Sequence, residues 1–396
     1  MSVSELNRRW MVRAAAMLPA VVFGVLAGGV VTTPVSEAEP IPALAAALHS
    51  GDCARCHQVP GTEPLGRIDS CHSCHVWVKD VAGDPVRRDK AKAVFPLWER
   101  YEKNVATYLE VPSLEAAMAR LDPEWVRKYL KDPHDLRPGL NETMPRFGLS
   151  DTQIDAIVDG FAAAKVAVPT VAPPDPSRVA EGEKLFSTKG CVGCHTFGAR
   201  STGAIKMAPD LAHARARMSP DTAAAWIKNP KAISPAATMP SLGLTDAEAL
   251  ALRDYVWLAD PKWTQAKPLG KAPTPVKAPV TYAQVEERVF GKICVHCHMN
   301  PDLNQGRSGP GNGGGFGYPA TGIELQTYEG VVAVADRIPD ALLRRRLEAH
   351  RDAIQPGEQP APLTRPATPG MPLGLPPISD EDIALVLGWI EQGTPR

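Results

Sequence analysis

The sequence predicts a mainly α-helical protein built from three small modules in tandem. The first observation is a repeated pattern, in which a helix that stops at proline leads to a loop with a methionine and then to a capped helix. The second is a pair of proline-rich segments at residues 168–176 and 267–279, which is typical of stiff, extended linkers. The third is the length of 396 residues, which suits two to four domains.

The repeat is clearest in the first two modules, where residues 122–133 correspond to residues 219–230. Each copy continues to a Met-Pro pair and then to a hydroxyl residue that can cap a helix. These pairs and caps are Met144-Pro145 with Ser150, Met239-Pro240 with Thr245 and, in a looser third copy, Met371-Pro372 with Ser379. Apolar residues at helical spacing follow each cap, for example Ile154, Ile157, Val158 and Phe161, and they predict a helix with one buried face.

Four copies of the pattern C-x-x-C-H use all eight cysteines. They are Cys53, Cys56 and His57; Cys71, Cys74 and His75; Cys191, Cys194 and His195; and Cys294, Cys297 and His298. This pattern is the attachment signature of haem c, because the two thiols form thioethers with the haem vinyl groups and the adjacent His ligates the iron from the proximal side. The sequence therefore predicts four covalently attached haem c groups.

Two other interpretations of the cysteines remain open at this point. The first two motifs have nearly the spacing of a Cys₄ zinc ribbon, and eight cysteines can also form disulfides. Neither a zinc ribbon nor a set of disulfides requires a His directly after the second cysteine of each pair. The haem interpretation accounts for every cysteine and for the histidine beside it.

The N-terminal segment predicts export from the cytoplasm. Arg8, Arg9 and Arg13 precede an apolar run over residues 14–31, which can act either as a cleaved signal peptide or as a retained anchor in the inner membrane. Both alternatives place the modules in the periplasm or on the extracytoplasmic face of the inner membrane. That side is oxidising, and haem c is attached there.

The predicted domain boundaries follow from these features. They are residues 1–38 for the signal peptide or anchor, 39–170 for a module with two motifs, 171–178 for a linker, 179–262 for a module with one motif, 263–281 for a proline-rich linker and 282–396 for the last module with one motif.

The methionine loops predict the ligands on the distal side of the irons. A thioether in a loop held by proline suits this position, so Met144, Met239 and Met371 are predicted distal ligands. Three methionines leave one of four irons without a distal ligand, and the candidates outside the proximal positions are His49, His72 and His134, with Met118 less favoured. Which of the two irons takes Met144 as its distal ligand stays undecided, although the motif of His75 is nearer to Met144 in sequence than that of His57.

Residues 179–259 resemble a class I cytochrome c domain. The resemblance rests on Gly182-Glu-Lys-Leu-Phe186, the motif ending at His195, Ala208-Pro-Asp-Leu211 and Met239-Pro240. It implies that Cys191 and Cys194 hold the haem, that His195 is the proximal ligand and that Met239 is the distal one. Residues 282–396 are similar, with a glycine-rich insertion. Together these features predict three tandem cytochrome c-like domains.

The first module departs from this pattern because it has two motifs and one Met-Pro pair. It also has a long helical insertion from about residue 86 to residue 121. In compact multihaem cytochromes a His inside or beside one motif often ligates a neighbouring haem, and the short separation of Cys56 and Cys71 indicates such a close pair. That resemblance favours His72 or His49 over His134 for the remaining iron.

The function predicted is the transfer of single electrons in a respiratory chain. Iron with both axial positions filled by protein has no open position for a substrate. The order of the modules indicates a wire from the two-motif module through the other two. The expected partners are a quinol-oxidising membrane complex and a terminal oxidase or reductase. The alternative is a haem enzyme, a peroxidase or an oxidoreductase of small oxyanions or sulfur compounds, with an open haem in the first module.

Other features predict little chemistry. The net charge of −1 and the lack of a basic stripe argue against nucleic acid. The glycine-rich segment 309–314 matches a dinucleotide fingerprint but follows no strand and opens no helix, so it predicts only a loop. The run Arg344 to Arg346 is either a solvated helix face or a docking patch for an acidic partner, and His213 has no partner at ligand spacing.

Overall fold

The computed structural model describes residues 42–59, 62–67, 69–95, 98–104, 111–134, 136–137, 144–200, 208–262, 268–300, 321–352 and 369–396. The predicted signal peptide or anchor and the glycine-rich segment 309–314 lie outside these ranges. Within them, the regular secondary structure is helical and includes no named strand. The helices of these ranges are each too short or too polar to cross a bilayer.

The helices of the first module are α1 (Pro42–Ser50), α2 (Cys71–Ala82), α3 (Pro85–Val94), α4 (Trp98–Asn104), α5 (Leu114–Met118), α6 (Pro123–Lys131) and α7 (Asp151–Ala164). The first of the two C-x-x-C-H motifs in this module follows α1, and the second lies in α2. The long final helix α7 packs on α1 and α6.

The second and third modules place one motif after their first helix. The second contains α8 (Val179–Thr188), α9 (Ala214–Arg217), α10 (Pro220–Lys228), α11 (Pro230–Ile233) and α12 (Asp246–Leu258). The third contains α13 (Tyr282–Val285), a π-helical turn at Glu286–Phe290, α14 (Tyr328–Val332), α15 (Ile338–Asp352) and α16 (Asp380–Glu391).

The predicted repeat of helix, methionine loop and capped helix is confirmed. Helices α6 and α10 both begin with proline and end before Pro133 and Pro230. Ser150 and Thr245 cap the helices that follow, each in a reciprocal capping box with the residue three positions later. Ser379 caps α16 by accepting a hydrogen bond from Asp382 N.

Buried apolar side chains form clusters that follow the predicted modules. One cluster runs from Leu44 to Phe161, a second from Leu185 to Ala259 and a third from Val280 to Trp389, while a small fourth cluster contains Val78, Val81, Ala91 and Trp98. The predicted inward face of α7 is confirmed, because Ile154, Ile157, Val158 and Phe161 are all buried. Residues Glu39–Arg396 also form one compact unit, so the division into three domains stays a prediction.

The middle module is held by a close crossing of its first and last helices, α8 and α12. A Cβ built on Gly182 would lie 2.0 Å from the carbonyl oxygen of Ala251. No side chain fits at this distance, so glycine lets the two backbones meet and brings the motif that follows α8 against α12.

The first module contacts both of the others. The amide of Asp122 donates to the Arg217 carbonyl at 2.7 Å, and the amide of Asp210 donates to the Leu136 carbonyl at 2.8 Å. On the other side, Arg146 lies 3.6 Å from Glu348 of α15.

The arginine run of α15 makes contacts within the third module. Arg345 is buried and donates to the Leu375 carbonyl at 2.6 Å. Arg346 pairs with Asp380 at 2.7 Å, and Arg344 pairs with Asp340. The expectation of a solvated face is wrong for Arg345 and Arg346, because these two cations hold the loop and α16 of the third module in place. A docking patch for an acidic partner stays a prediction.

Candidate haem sites

Three of the four C-x-x-C-H motifs share one backbone conformation. Each begins with a single 3₁₀ turn, at Cys53–Arg55, Cys191–Gly193 and Cys294–His296. In each the amide of the motif histidine donates to the carbonyl of the first cysteine, at 2.8, 3.0 and 2.9 Å. This turn places both thiols and the imidazole of one motif on the same short stretch of chain, as attachment to a single macrocycle requires.

The second motif has a different conformation, because it forms the first turns of helix α2. Ser70 caps this helix by accepting a hydrogen bond from Ser73 N at 3.0 Å. Cys71 and His75 are four residues apart and therefore lie on the same face of α2. The small aromatic cluster of Trp77, Phe95 and Trp98 packs against this helix.

The histidines of the three 3₁₀ motifs are oriented by backbone carbonyls. Nδ1 of His57 lies 2.8 Å from the Pro112 oxygen, Nδ1 of His195 lies 2.9 Å from the Pro209 oxygen, and Nδ1 of His298 lies 3.1 Å from the Ile323 oxygen. A carbonyl only accepts, so Nδ1 carries the proton and Nε2 keeps its lone pair for a metal. Burial lowers the pKa of all three, which favours the neutral imidazole that binds iron.

An apolar cavity opens beside the first motif. Its volume is about 190 Å³, and Cys53, Cys56 and His57 form part of its wall. Met144 also lines this cavity and packs against the core of the first module. The remaining apolar wall is formed by Leu48, Val111, Leu114, Ala117, Leu121, Trp125, Val126, Leu130, Leu136, Phe147, Ile157 and Phe161.

This lining fits a haem attached at Cys53 and Cys56. The cavity combines two thiols, an oriented imidazole, a thioether and an apolar wall, which is the donor set of a His/Met haem. It also shows which motif shares a cavity with Met144. Sequence distance favoured the motif of His75, whereas the structure brings Met144 together with His57.

The other two predicted distal methionines, Met239 and Met371, lie in loops that contact neighbouring segments. Met371 is partly buried, and its amide donates to the Ala341 carbonyl at 2.9 Å. A Cβ on Gly370 would lie 2.0 Å from the amide nitrogen of Arg345, so this loop sits directly on α15. Met239 is also partly buried, and Ser241 beside it donates to Asn229 at 2.8 Å. Iron ligation by Met239 and Met371 stays a prediction.

The three candidates for the remaining distal position lie in different surroundings. His49 is exposed at the end of α1. His72 lies within the second motif; burial is the main cause of the lowered pKa of His57, and the charge of His72 makes a smaller contribution. His134 lines the cavity of the first motif, and its ring centroid is 5.5 Å from that of His213 in the middle module. The less favoured Met118 is buried in the first core.

The first two motifs lie against each other, as their short separation predicted. The thiol of Cys56 donates to the sulfur of Cys71, which raises the pKa of Cys56 and lowers that of Cys71 to about 7. Ser70 also donates to the Arg55 carbonyl at 3.2 Å. Among the described residues, no three His, Cys, Asp or Glu side chains converge on one point, as a Cys₄ zinc site requires.

The residues that connect the cavity of the first motif with the middle module were not predicted from the sequence. Pro209 was noted only as part of a resemblance, yet its carbonyl orients His195 and its ring lines the cavity of the first motif. Arg120, Arg137 and Arg217 line the same cavity. His213, which had no partner at ligand spacing, packs against His134. No periodicity signals these contacts, because they join segments that are far apart in the chain.

A cytochrome c family model matches residues 179–259, so this segment is similar to a cytochrome c domain. Such a domain binds haem c covalently, and it transfers electrons through that haem. The match covers the segment from α8 through α12, including the motif of His195 and the loop of Met239. No curated protein matches the chain, and no solved structure matches it.

Proposed function

We propose that the chain is a tetrahaem c-type cytochrome that carries single electrons in the periplasm, between a quinol-oxidising membrane complex and a terminal oxidase or reductase. The observation that carries this proposal is the cavity of the first motif, which has His57 with its two cysteines and Met144 in one wall. Haem c with two protein ligands supplies one-electron exchange without an open position for a substrate.

The polypeptide's contribution is to hold each axial ligand in a fixed orientation. The Pro112, Pro209 and Ile323 carbonyls keep Nδ1 of the three motif histidines protonated, so that only Nε2 can face a metal. The loops of Met144 and Met371 are fixed by contacts with neighbouring helices. Rigid ligands suit electron transfer, because little rearrangement accompanies a change of charge on the metal.

The contacts between modules support a route that branches at the first motif. Cys56 touches Cys71 of the second motif, and Pro209 touches both the first cavity and His195 of the third motif. Glu348, which pairs with Arg146, also accepts the amide of Gly370 at 3.0 Å, next to Met371. The first module therefore borders the second motif, the carbonyl that orients His195 of the third motif, and the Met371 loop of the last module, whereas module order along the chain indicated a linear wire.

The test is a haem count with a one-electron redox titration and exposure of the reduced protein to CO. We expect four haems per chain, one fewer in C53A/C56A and one fewer in C191A/C194A. We also expect a titration completed by four electrons and a spectrum that CO leaves unchanged. A wild-type count below four, or a count that C53A/C56A leaves unaltered, contradicts the proposal.

A second candidate function is a haem enzyme whose open iron lies at the second motif. One observation favours it, namely that Met144 shares its cavity with the first motif rather than with His75. A CO-dependent spectral change equal to one haem in the wild type, lost in C71A/C74A, would establish this candidate. Peroxide, nitrite and sulfur oxyanions are then the substrates to assay.

A further inference from the structure

Three arginines line the cavity of the first motif, and they come from two modules. Arg120 and Arg137 belong to the first module, and Arg217 belongs to α9 of the middle module. Arg217 is only 7% exposed, and its Nε has no hydrogen-bond partner. Its guanidinium lies 5.1 Å from the ring of Trp125, which also lines the cavity.

These cations are close enough to repel one another. Burial, followed by the charges of Arg217 and Arg137, lowers the pKa of Arg120 to about 9. Burial also lowers the pKa of Arg217 to about 10, against the charge of Tyr129, which raises it, and the charge of Arg137 adds to the lowering. Arg120 donates to the Ala116 carbonyl at 2.7 Å and lies 4.5 Å from the centroid of the Trp226 ring. Asp52 also lines the cavity, but within the described part of the chain neither Arg120 nor Arg217 forms an ion pair with it. Buried cations of this kind require an anion to compensate them.

We infer that Arg120, Arg137 and Arg217 form an anion recess for the carboxylate groups of the first haem, and that the middle module thereby completes the cofactor site of the first. Attachment at Cys53 and Cys56 brings a group with two carboxylates into this same cavity. Guanidinium groups bind carboxylates through paired N–H donors. This inference rests on the proposed haem at the first motif.

The recess also tunes the cofactor that it holds. An oxidised iron centre carries one more positive charge than a reduced one, so an uncompensated carboxylate beside it favours the oxidised state. Arg217 neutralises that carboxylate, and its removal lowers the reduction potential of the first haem. Through Arg217, the docking of the middle module and the potential of the first haem are linked.

The test is a redox titration of the full haem-loaded protein in four variants. We expect R217Q to lower the potential of one of the four components, by about tenfold in its reduction constant or about 59 mV. R120Q is expected to shift the potential of the same component. R217K, which keeps the positive charge, is expected to retain most of the wild-type potential. R215Q is the matched control, because Arg215 lies on the same helix but donates to the Val256 carbonyl at 3.1 Å.

Several outcomes would overturn the inference. One is an R217Q titration identical to that of the wild type. Another is a shift in a component that R120Q leaves unchanged, because Arg217 would then act on the haem of its own module. A third is a shift of the wild-type potential on addition of sulfate that is as large as the shift caused by R217Q. The recess would then hold an ion from solution. The haem counts of wild type and C53A/C56A separate these outcomes from a failure of the proposed function.

Discussion

The first and second C-x-x-C-H motifs have the same pattern but lie in different surroundings. The first forms a 3₁₀ turn, its histidine is oriented by the Pro112 carbonyl, and it faces a cavity that contains Met144. The second is the start of a regular helix and packs beside a small aromatic cluster. On the proposed function, the motif would specify where a haem is attached, whereas the segments packed around it would decide what else reaches the iron.

The largest expected effect comes from removing the thioether of the first site. On the proposed ligation, M144A would leave the iron of the first motif without its sulfur ligand, so we expect one additional haem to bind CO and its potential to fall. The measurement is the reduced spectrum with and without CO. M218A is the matched control, because Met218 packs against the same core from the middle module.

The same variant distinguishes the two sites. In M144A combined with C71A/C74A, the additional CO-binding haem is expected to remain, because it belongs to the first motif. Its disappearance in the combined variant would show that Met144 serves the second motif, and our assignment from the cavity would be wrong.

The second site depends on its aromatic cluster instead. Trp98 is 1% exposed and contacts Trp77 of α2, so W98A should cost about 3–5 kcal/mol in the free energy of unfolding. Denaturant unfolding measures this loss. We expect one component of the redox titration to change with it while the M144A-sensitive component stays the same. A change in both components would mean that the two sites share one packing unit.

Acid pH is expected to weaken the first site through His213. Burial, followed by the charge of His134, lowers the pKa of His213 to about 4. The unfolded state takes up a proton near pH 6.5 and the folded state does not, so stability is complete above pH 6.5 and falls as the pH drops toward 4. The loss is at most about 3 kcal/mol.

Unfolding experiments at pH 7 and pH 5 measure this loss. H213Q should reduce the difference between the two pH values, whereas the control H350Q in α15 should leave it unchanged. An H213Q protein with the acid sensitivity of the wild type would assign that sensitivity to other groups.

The smallest expected effect concerns the link between the two motifs. Ser70 caps α2 and donates to the Arg55 carbonyl, so S70A should cost about 1 kcal/mol. The control S150A removes a cap of the same kind from α7. Both should lower the unfolding midpoint by similar amounts, and only S70A should alter the redox titration. Equal redox behaviour of the two variants would show that this link is purely structural.

Local features of the fold were predictable from the sequence, because they depend on neighbouring residues. The caps at Ser150 and Thr245 and the buried face of α7 follow from spacing alone. The four attachment motifs were visible for the same reason. The cavity shared by Met144 and His57 was not predictable, because sequence separation favoured His75. The arginine recess and the pairing of His134 with His213 depend on how modules dock, which no local pattern encodes.

The cavity of the first motif has a consequence for the timing of assembly. Part of its wall, at Pro209 and Arg217, belongs to a segment that is synthesised well after Cys53 and Cys56. An emerging chain therefore passes through a stage in which this cavity still lacks that wall. N-terminal segments generally fold first during synthesis. On the proposed function, a haem attached to the first motif at that stage would enter an open cavity, and the docking of the later segment would close it.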